Sequence, residues 1–230
     1  MKNVRIASFD IGSKNFALWV DEYDSAMLNQ SRLEYNEYND YNDYNDYNDY
    51  HEGRIKDKNK LSKKLSNKLS KKFYNEDGTC KGSFDRIIQD VSTSGSTVCF
   101  YNEDITNGDS GVSSWTLLTM TAFLDSLRDV LCTVDHFVIE KQMSFKGKSN
   151  PQAVRLSHHL ESYLLLRYGC LSSITEFPAY HKTQVLGAPR IATQRKNGTI
   201  QYKSCGYTDR KKWAINTAFD IIVSRNEWQT

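Results

Sequence analysis

The sequence has few cysteines, and none of them stands in a zinc-binding pattern. There are five, an odd number, and they are widely spaced without a Cys-x-x-Cys pair or a His/Cys cluster. This spacing argues against a structural zinc site and favours a reducing compartment.

Long hydrophobic runs are also missing. The N-terminal stretch MKNVRIASFD enters a polar-flanked strand at once, unlike a secretion signal. No apolar run approaches the about 20 residues that a membrane-spanning helix needs. We therefore expect an intracellular protein without a membrane segment.

Apolar residues are scarce for a fully globular chain. Hydrophobic residues make up 39% and the mean hydropathy is -0.64, so part of the 230 residues is expected to lie outside a core. The net charge of +2 averages strongly unequal segments and says little about partners. The length allows one domain of about 150 residues with additions.

We predict one domain interrupted by a low-complexity insertion: residues 1–20 begin the domain, 21–83 form the insertion, and 84–230 complete it. Residues 35–50 repeat Tyr-Asn-Asp, a period that fits neither helix nor strand, so disorder is expected. Residues 54–73 are rich in lysine, with leucines every four positions. They are typical either of a nucleic-acid-binding arm or of a second repeat whose lysines balance the acidic one.

Outside the insertion, the pattern predicts a mixed α/β fold. Its elements follow in the order strand, strand, strand, helix, strand, helix, strand, helix, helix. The predicted strands after the first hairpin are 98–101, 135–142 and 173–177. The predicted helices include one that Ser113 or Ser114 caps, one that begins at Pro151 and one from about 208 to 226.

Two apolar strands each end in an acid. In RIASFDIGSKNFALWV, period-2 spacing puts Asp10 on the strand face opposite Phe9, and Gly12-Ser13-Lys14 is predicted to form a tight hairpin turn. In DHFVIEKQ, the acid is Glu140. If the two strands are neighbours, the paired carboxylates suit Mg²⁺, which takes one or two carboxylates plus water and phosphate oxygens. The alternative is that Asp10 is a turn residue and Glu140 a capping or surface acid.

These motifs resemble the RuvC-like Holliday junction resolvases, especially the poxvirus and mitochondrial branch. That branch begins with a strand reading roughly D-x-G-x-K-N-x-A and later has a strand ending I-E-x-Q. The chain has FDIGSKNFALWV and FVIEKQ at these places, followed by NPQAVRLSHHLESYLLLRYG, FPAYHKTQVLG and DRKKWAINTAFDII. The resemblance covers residues 4–20 and about 115–226.

The resemblance implies an RNase H-like mixed sheet flanked by helices and a homodimeric nuclease. Such a nuclease cuts branched DNA, the four-way junction, with Mg²⁺ or Mn²⁺, and serves DNA recombination or repair. It implies that Asp10 and Glu140 are catalytic metal ligands and that Lys182 neutralises phosphate charge. A viral member would work in the host cytoplasm.

The chain departs from the resolvase pattern near its C-terminal end. The family completes its site with an Asp-x-x-Asp pair, and neither Asp209 nor Asp220 fits that motif before the closing SRNEWQT. A truncated reading frame or a copy without catalysis would explain the difference. Two alternatives therefore stay open: a junction-binding protein without turnover, and an actin-like or sugar-kinase-like ATPase, whose first strand also leads into Asp-x-Gly.

Overall fold

A computed structural model describes residues 3–39, 81–108, 111–142, 150–178, 188–194, 198 and 200–227. The chain divides into two compact units. Unit 1 comprises Met1–Ser25 and Gly95–Lys182, and unit 2 comprises Ala26–Ser94 and Thr183–Thr230. The described elements, in chain order, are β1 (Asn3–Asp10), β2 (Phe16–Asp24), α1 (Ser25–Asn39), α2 (Gly82–Ser94), β3 (Ser96–Glu103), α3 (Ser114–Ser126), α4 (Arg128–Leu131), β4 (His136–Lys141), α5 (Pro151–Tyr168), β5 (Ser173–Pro178), β6 (Arg190–Gln194), β7 (Ile200–Ser204) and α6 (Tyr207–Ser224).

Unit 1 is built on a mixed five-stranded sheet with the strand order β3-β2-β1-β4-β5. β2 pairs antiparallel with both β1 and β3, whereas β4 pairs parallel with both β1 and β5. Together with the helices this confirms the predicted mixed α/β fold. The first strand also alternates as predicted, since Phe9 is buried and Asp10 is exposed.

One face of this sheet carries the hydrophobic core. Apolar side chains of β1, β2 and β4 pack there with those of α3 and α5. The fully buried members include Phe16, Leu18, Met120, Leu124, Phe137, Ile139, Leu156, Leu160 and Leu164. The Leu156, Leu160 and Leu164 spacing places three side chains on one stripe of α5, which explains why that stripe faces the sheet.

Two helices of unit 1 begin where the sequence predicts. Ser113 caps α3 in a capping box, in which its hydroxyl accepts from the Thr116 amide and the Thr116 hydroxyl accepts from the Ser113 amide. Asn150 caps α5 by accepting from the amides of residues 152 and 153, and Pro151 takes the first helical position.

Unit 2 contains α1, α2, the β6–β7 hairpin and α6. The end of α6 is attached to α2, because the Arg225 Nε donates to the Ser92 carbonyl oxygen at 2.6 Å. Phe84 and Ile87 of α2 are buried. The predicted last helix is confirmed as α6.

Several elements differ from the sequence prediction. β2 continues beyond residue 20 to Asp24, and α1 then takes up residues 25–39, which include the first residues of the Tyr-Asn-Asp repeat. The helix α2 and the β6–β7 hairpin were not predicted. The rest of the repeat and the lysine-rich stretch of residues 54–73 lie outside the described residues.

In the described part of the chain, no helix combines the length and apolar character that crossing a membrane requires.

Candidate functional site

Asp10 and Glu140 lie next to each other at the ends of neighbouring parallel strands. The β1–β4 register pairs Phe9 with Ile139 as its last step, so the next residue on each strand is one of the two acids. Adjacent strands lie about 4.8 Å apart, and residues at matching positions project to the same side. Because Phe9 and Ile139 face the core, both carboxylates belong to the opposite face, where Asp10 is exposed and Glu140 half-buried.

This pair of carboxylates fits one hard divalent cation. Mg²⁺ commonly takes one or two protein carboxylates and completes its octahedron with water and phosphate oxygens. Among the described residues, no group of three or more His, Cys, Asp or Glu side chains is placed to hold a metal ion. The pair therefore suits a single ion with open positions rather than a closed protein cage.

The other acids and the lysine considered in the sequence have different positions. Asp209 and Asp220 are exposed residues of α6, which belongs to unit 2. Lys182 lies outside the described residues. The structure therefore brings together Asp10 and Glu140 of the predicted site residues.

The loop after Asp10 needs its glycine because of a close backbone approach. A Cβ on Gly12 would lie 3.0 Å from the carbonyl oxygen of Asn15. The loop runs from residue 11 to 15, longer than the predicted three-residue turn, and the Ser13 carbonyl oxygen accepts from the Ile105 amide at 3.1 Å. This bond ties the loop at the carboxylate end of β1 to the loop after β3.

The loop after β3 contains an acid that sequence reasoning missed. The Asp104 Oδ1 accepts from the Thr106 hydroxyl at 2.6 Å and from the Thr106 amide at 2.8 Å. These hydrogen bonds, and more weakly the charge of Lys14, hold the pKa of Asp104 below its ordinary value of 3.8. Asp104 is thus a structural acid that closes its own turn.

Two of the basic residues that follow Glu140 in the sequence, Lys141 and Arg155, have partners within the protein. The Lys141 Nζ lies 2.6 Å from the Glu176 Oε2, and this hydrogen bond raises the pKa of Lys141. The Arg155 guanidinium donates to the Val112 carbonyl oxygen at 2.8 Å. In this structure both side chains therefore make a polar contact within unit 1.

Sequence reasoning also missed an aromatic pair on the carboxylate-bearing face of the sheet. Trp19 of β2 and Phe100 of β3 are register partners, and their ring centroids are 5.1 Å apart at an interplanar angle of 52°. The alternation of β2 puts Trp19 on the face opposite the buried Leu18. That alternation was a usable signal, whereas the pairing with Phe100 requires the strand register.

Two curated relatives, both from iridescent viruses, match part of the chain. Uncharacterized protein 170L of Invertebrate iridescent virus 6 is 32% identical over 123 residues, which are 50% of this chain and 48% of that protein. Uncharacterized protein 97L of Invertebrate iridescent virus 3 is 34% identical over 103 residues, 45% of this chain and 42% of that protein. The chain thus spans about half the length of the curated relatives it matches. No protein-family profile and no solved structure matches it.

Proposed function

We propose that this chain is an RNase H-like endonuclease of the RuvC-like resolvase type, from the poxvirus and mitochondrial branch. It would resolve four-way DNA junctions by hydrolysing phosphodiester bonds with Mg²⁺ or Mn²⁺. The single observation that carries the proposal is the placement of Asp10 and Glu140 at matching positions on neighbouring parallel strands.

The sheet supports the finer fold assignment. The strand order β3-β2-β1-β4-β5, with β2 alone antiparallel to the others, is the order expected of an RNase H-like sheet. In such an arrangement the central strand β1 carries the first acid and its parallel neighbour β4 carries the second. The viral origin of both matched relatives agrees with a poxvirus-type protein.

The two carboxylates would together bind one divalent cation. Held by the rigid strands β1 and β4, Asp10 and Glu140 present oxygen ligands at fixed positions on an exposed face of the sheet. A divalent ion bound there supplies a water of lowered pKa and charge compensation at the scissile phosphate.

The limited number of acids favours a second candidate function. In the described part of the chain the site has two carboxylates and no third acid, His or Cys grouped with them. The same fold could then bind junctions without cutting them. This second candidate predicts full junction affinity and no nicks.

A cleavage assay on a labelled four-way junction distinguishes the two candidates. The full chain is incubated with the junction in Mg²⁺ or Mn²⁺, and a parallel reaction in Ca²⁺ reports binding without turnover. Asp10→Asn and Glu140→Gln are expected to abolish cutting and to retain binding. Glu103→Gln is the matched control, because Glu103 is an exposed acid at the same end of the sheet two strands from β1.

Each outcome assigns the function. Symmetric nicks that vanish in both site variants and persist in Glu103→Gln support the endonuclease and its predicted homodimer. Junction binding without nicks in the unmodified chain supports the binding protein instead. If the unmodified chain neither binds nor nicks the junction, both candidates are refuted.

A further inference from the structure

We propose that Trp19 and Phe100 form a stacking platform for an unpaired base of the DNA strand whose phosphate lies at Asp10 and Glu140. The inference rests on the proposed function insofar as the ligand is DNA. It adds the part of the substrate that is recognised, a base that is not stacked within a duplex.

The platform lies on the same face of the sheet as the two carboxylates, one step away. Asp10 pairs with Ala17 across β1 and β2, while Ser8 pairs with Trp19, which in turn pairs with Phe100. Trp19 is therefore on the strand next to Asp10, about 4.8 Å away across the sheet, and two residues away along the strand direction, about 6.8 Å. This offset is within reach of a nucleotide next to the scissile phosphate.

Hydrogen bonds position the Trp19 indole of the aromatic pair. The Trp19 Nε1 donates to the Asp21 Oδ1 at 2.7 Å, which fixes the indole on the sheet. Asp21 is itself held by the Tyr23 hydroxyl at 3.0 Å and the Thr97 hydroxyl at 3.2 Å. Against this fixed indole, Phe100 remains 53% exposed, so the platform offers an aromatic surface at little ordering cost.

The size of the patch favours a base over a protein partner. Of the large apolar side chains on β3, Phe100 is 53% exposed and Val98 is 38% exposed, and the neighbouring positions Ser8 and Asn102 are polar and exposed. A stable protein interface buries about 800 Å² on each side, far more than this small patch offers. One nucleobase needs only the area of a single ring system.

The chemistry of stacking defines the substrate class. Every base has a π-face, so stacking on an aromatic side chain tolerates different sequences. Bases inside a continuous duplex have both faces covered, whereas bases at a branch point or in a single strand can be splayed out and stacked. The platform would thus select DNA with unpaired or loosely stacked bases.

Two substitutions at position 100 test the platform. Binding of the full chain to a four-way junction and to a continuous duplex of equal length is measured in Ca²⁺ by fluorescence anisotropy. Phe100→Leu keeps an apolar side chain and removes the ring; it is expected to weaken junction binding roughly 5- to 150-fold, from about 1–3 kcal/mol per stacked base. Phe100→Trp is expected to bind the junction within about twofold of the unmodified chain because a ring is restored.

Val98→Ala is the matched control, since it trims an apolar residue of the same strand and face farther from the carboxylates. It should leave junction binding unchanged, and all variants should leave duplex binding unchanged. Equal junction affinity of Phe100→Leu and the unmodified chain would overturn the platform. So would Phe100→Trp binding as weakly as Phe100→Leu.

The result is separable from the nuclease assignment. Phe100-dependent junction binding without nicking supports the platform while refuting the endonuclease. Nicking that depends on Asp10 together with unaltered binding by Phe100→Leu supports the endonuclease while overturning the platform. If the unmodified chain binds no junction at all, both are refuted.

Discussion

Replacing Ile139 and Val138 by alanine, one at a time, tests which face of β4 packs into the core. Ile139 is fully buried, whereas Val138 is half-buried on the face that carries Glu140. Since the two residues are adjacent, they differ in face rather than in depth along the strand. The comparison therefore examines the orientation on which the carboxylate pair depends.

The expected costs differ severalfold. Ile139→Ala removes buried groups and leaves a cavity between the sheet and α5, which typically costs about 2–5 kcal/mol. Val138→Ala shortens the side chain by two carbon atoms, each of which would contribute about 0.8 kcal/mol to stability if fully buried. Half-burial reduces this loss to about 1 kcal/mol.

Urea unfolding at 25 °C, followed by far-UV circular dichroism, measures both changes in the free energy of unfolding. Ile139→Val, expected to cost about 0.5–1.5 kcal/mol, keeps the test usable should the alanine variant fail to fold. A cost for Val138→Ala equal to or above that for Ile139→Ala would contradict the orientation of β4 in this structure. It would mean that β4 is rotated and that Glu140 points toward the core.

Three further predictions concern the surroundings of the site. Tyr163→Phe removes the hydroxyl that donates to the Asp125 Oδ1 at 2.7 Å, and we expect the free energy of unfolding in urea to fall by about 1–2 kcal/mol. Adding Asp125→Asn should cost less than about 1 kcal/mol more, because it removes only the exposed ion pair of Asp125 with Arg167 at 3.4 Å. Gly12→Ala places a Cβ against the Asn15 carbonyl oxygen of its own loop and should lower the free energy of unfolding by about 1 kcal/mol. A Cβ on Gly82 meets nothing within 4 Å, so Gly82→Ala should not destabilise the protein. Equal effects of the two substitutions would contradict this prediction. The pKa of Asp104 is lower in the folded protein than its ordinary value of 3.8. The ionised Asp104 carboxylate therefore stabilises the fold above about pH 3.8, and this stabilisation is lost as the pH falls through the folded-state pKa. The stability difference between the unmodified chain and Asp104→Asn should accordingly shrink below about pH 4, and a difference independent of pH would contradict the assignment.

The strands and helices with strong local patterns were predictable from the sequence. Period-2 alternation in β1 separates Phe9 from Asp10 without any knowledge of neighbouring strands, and the structure confirms it. The start of α5 is equally local, because Asn150 and Pro151 act on the first turn alone. Such features depend on residues within a few positions of one another.

The β6–β7 hairpin was not predictable in this way. Its strands, Arg190–Gln194 and Ile200–Ser204, have the sequences RIATQ and IQYKS, which are largely polar. The two strands are held by backbone hydrogen bonds of an antiparallel pair, which the pattern of side chains does not predict. Hydrophobic periodicity is a weak guide to such strands.

The candidate site was predictable in its residues but not in its full surroundings. Asp10 and Glu140 stand out because each ends an apolar strand, and their adjacency then required only that β1 and β4 be neighbours. The pairing of Trp19 with Phe100 depends on the register of β2 against β3, two strands separated by a long insertion. Register of this kind is determined by three-dimensional packing.

Binding of Mn²⁺ to the full chain tests most directly whether Asp10 and Glu140 hold one cation together. Isothermal titration calorimetry would compare the unmodified chain with Asp10→Asn, Glu140→Gln, the double variant and the Glu103→Gln control. We expect about one Mn²⁺ per chain and a loss of at least about tenfold in affinity in each single site variant, since even outer-shell partners of a metal contribute about 10- to 100-fold. The double variant should be little worse than either single variant, and Glu103→Gln should bind like the unmodified chain. Unchanged Mn²⁺ affinity in Asp10→Asn and Glu140→Gln would show that these two side chains do not bind a cation together.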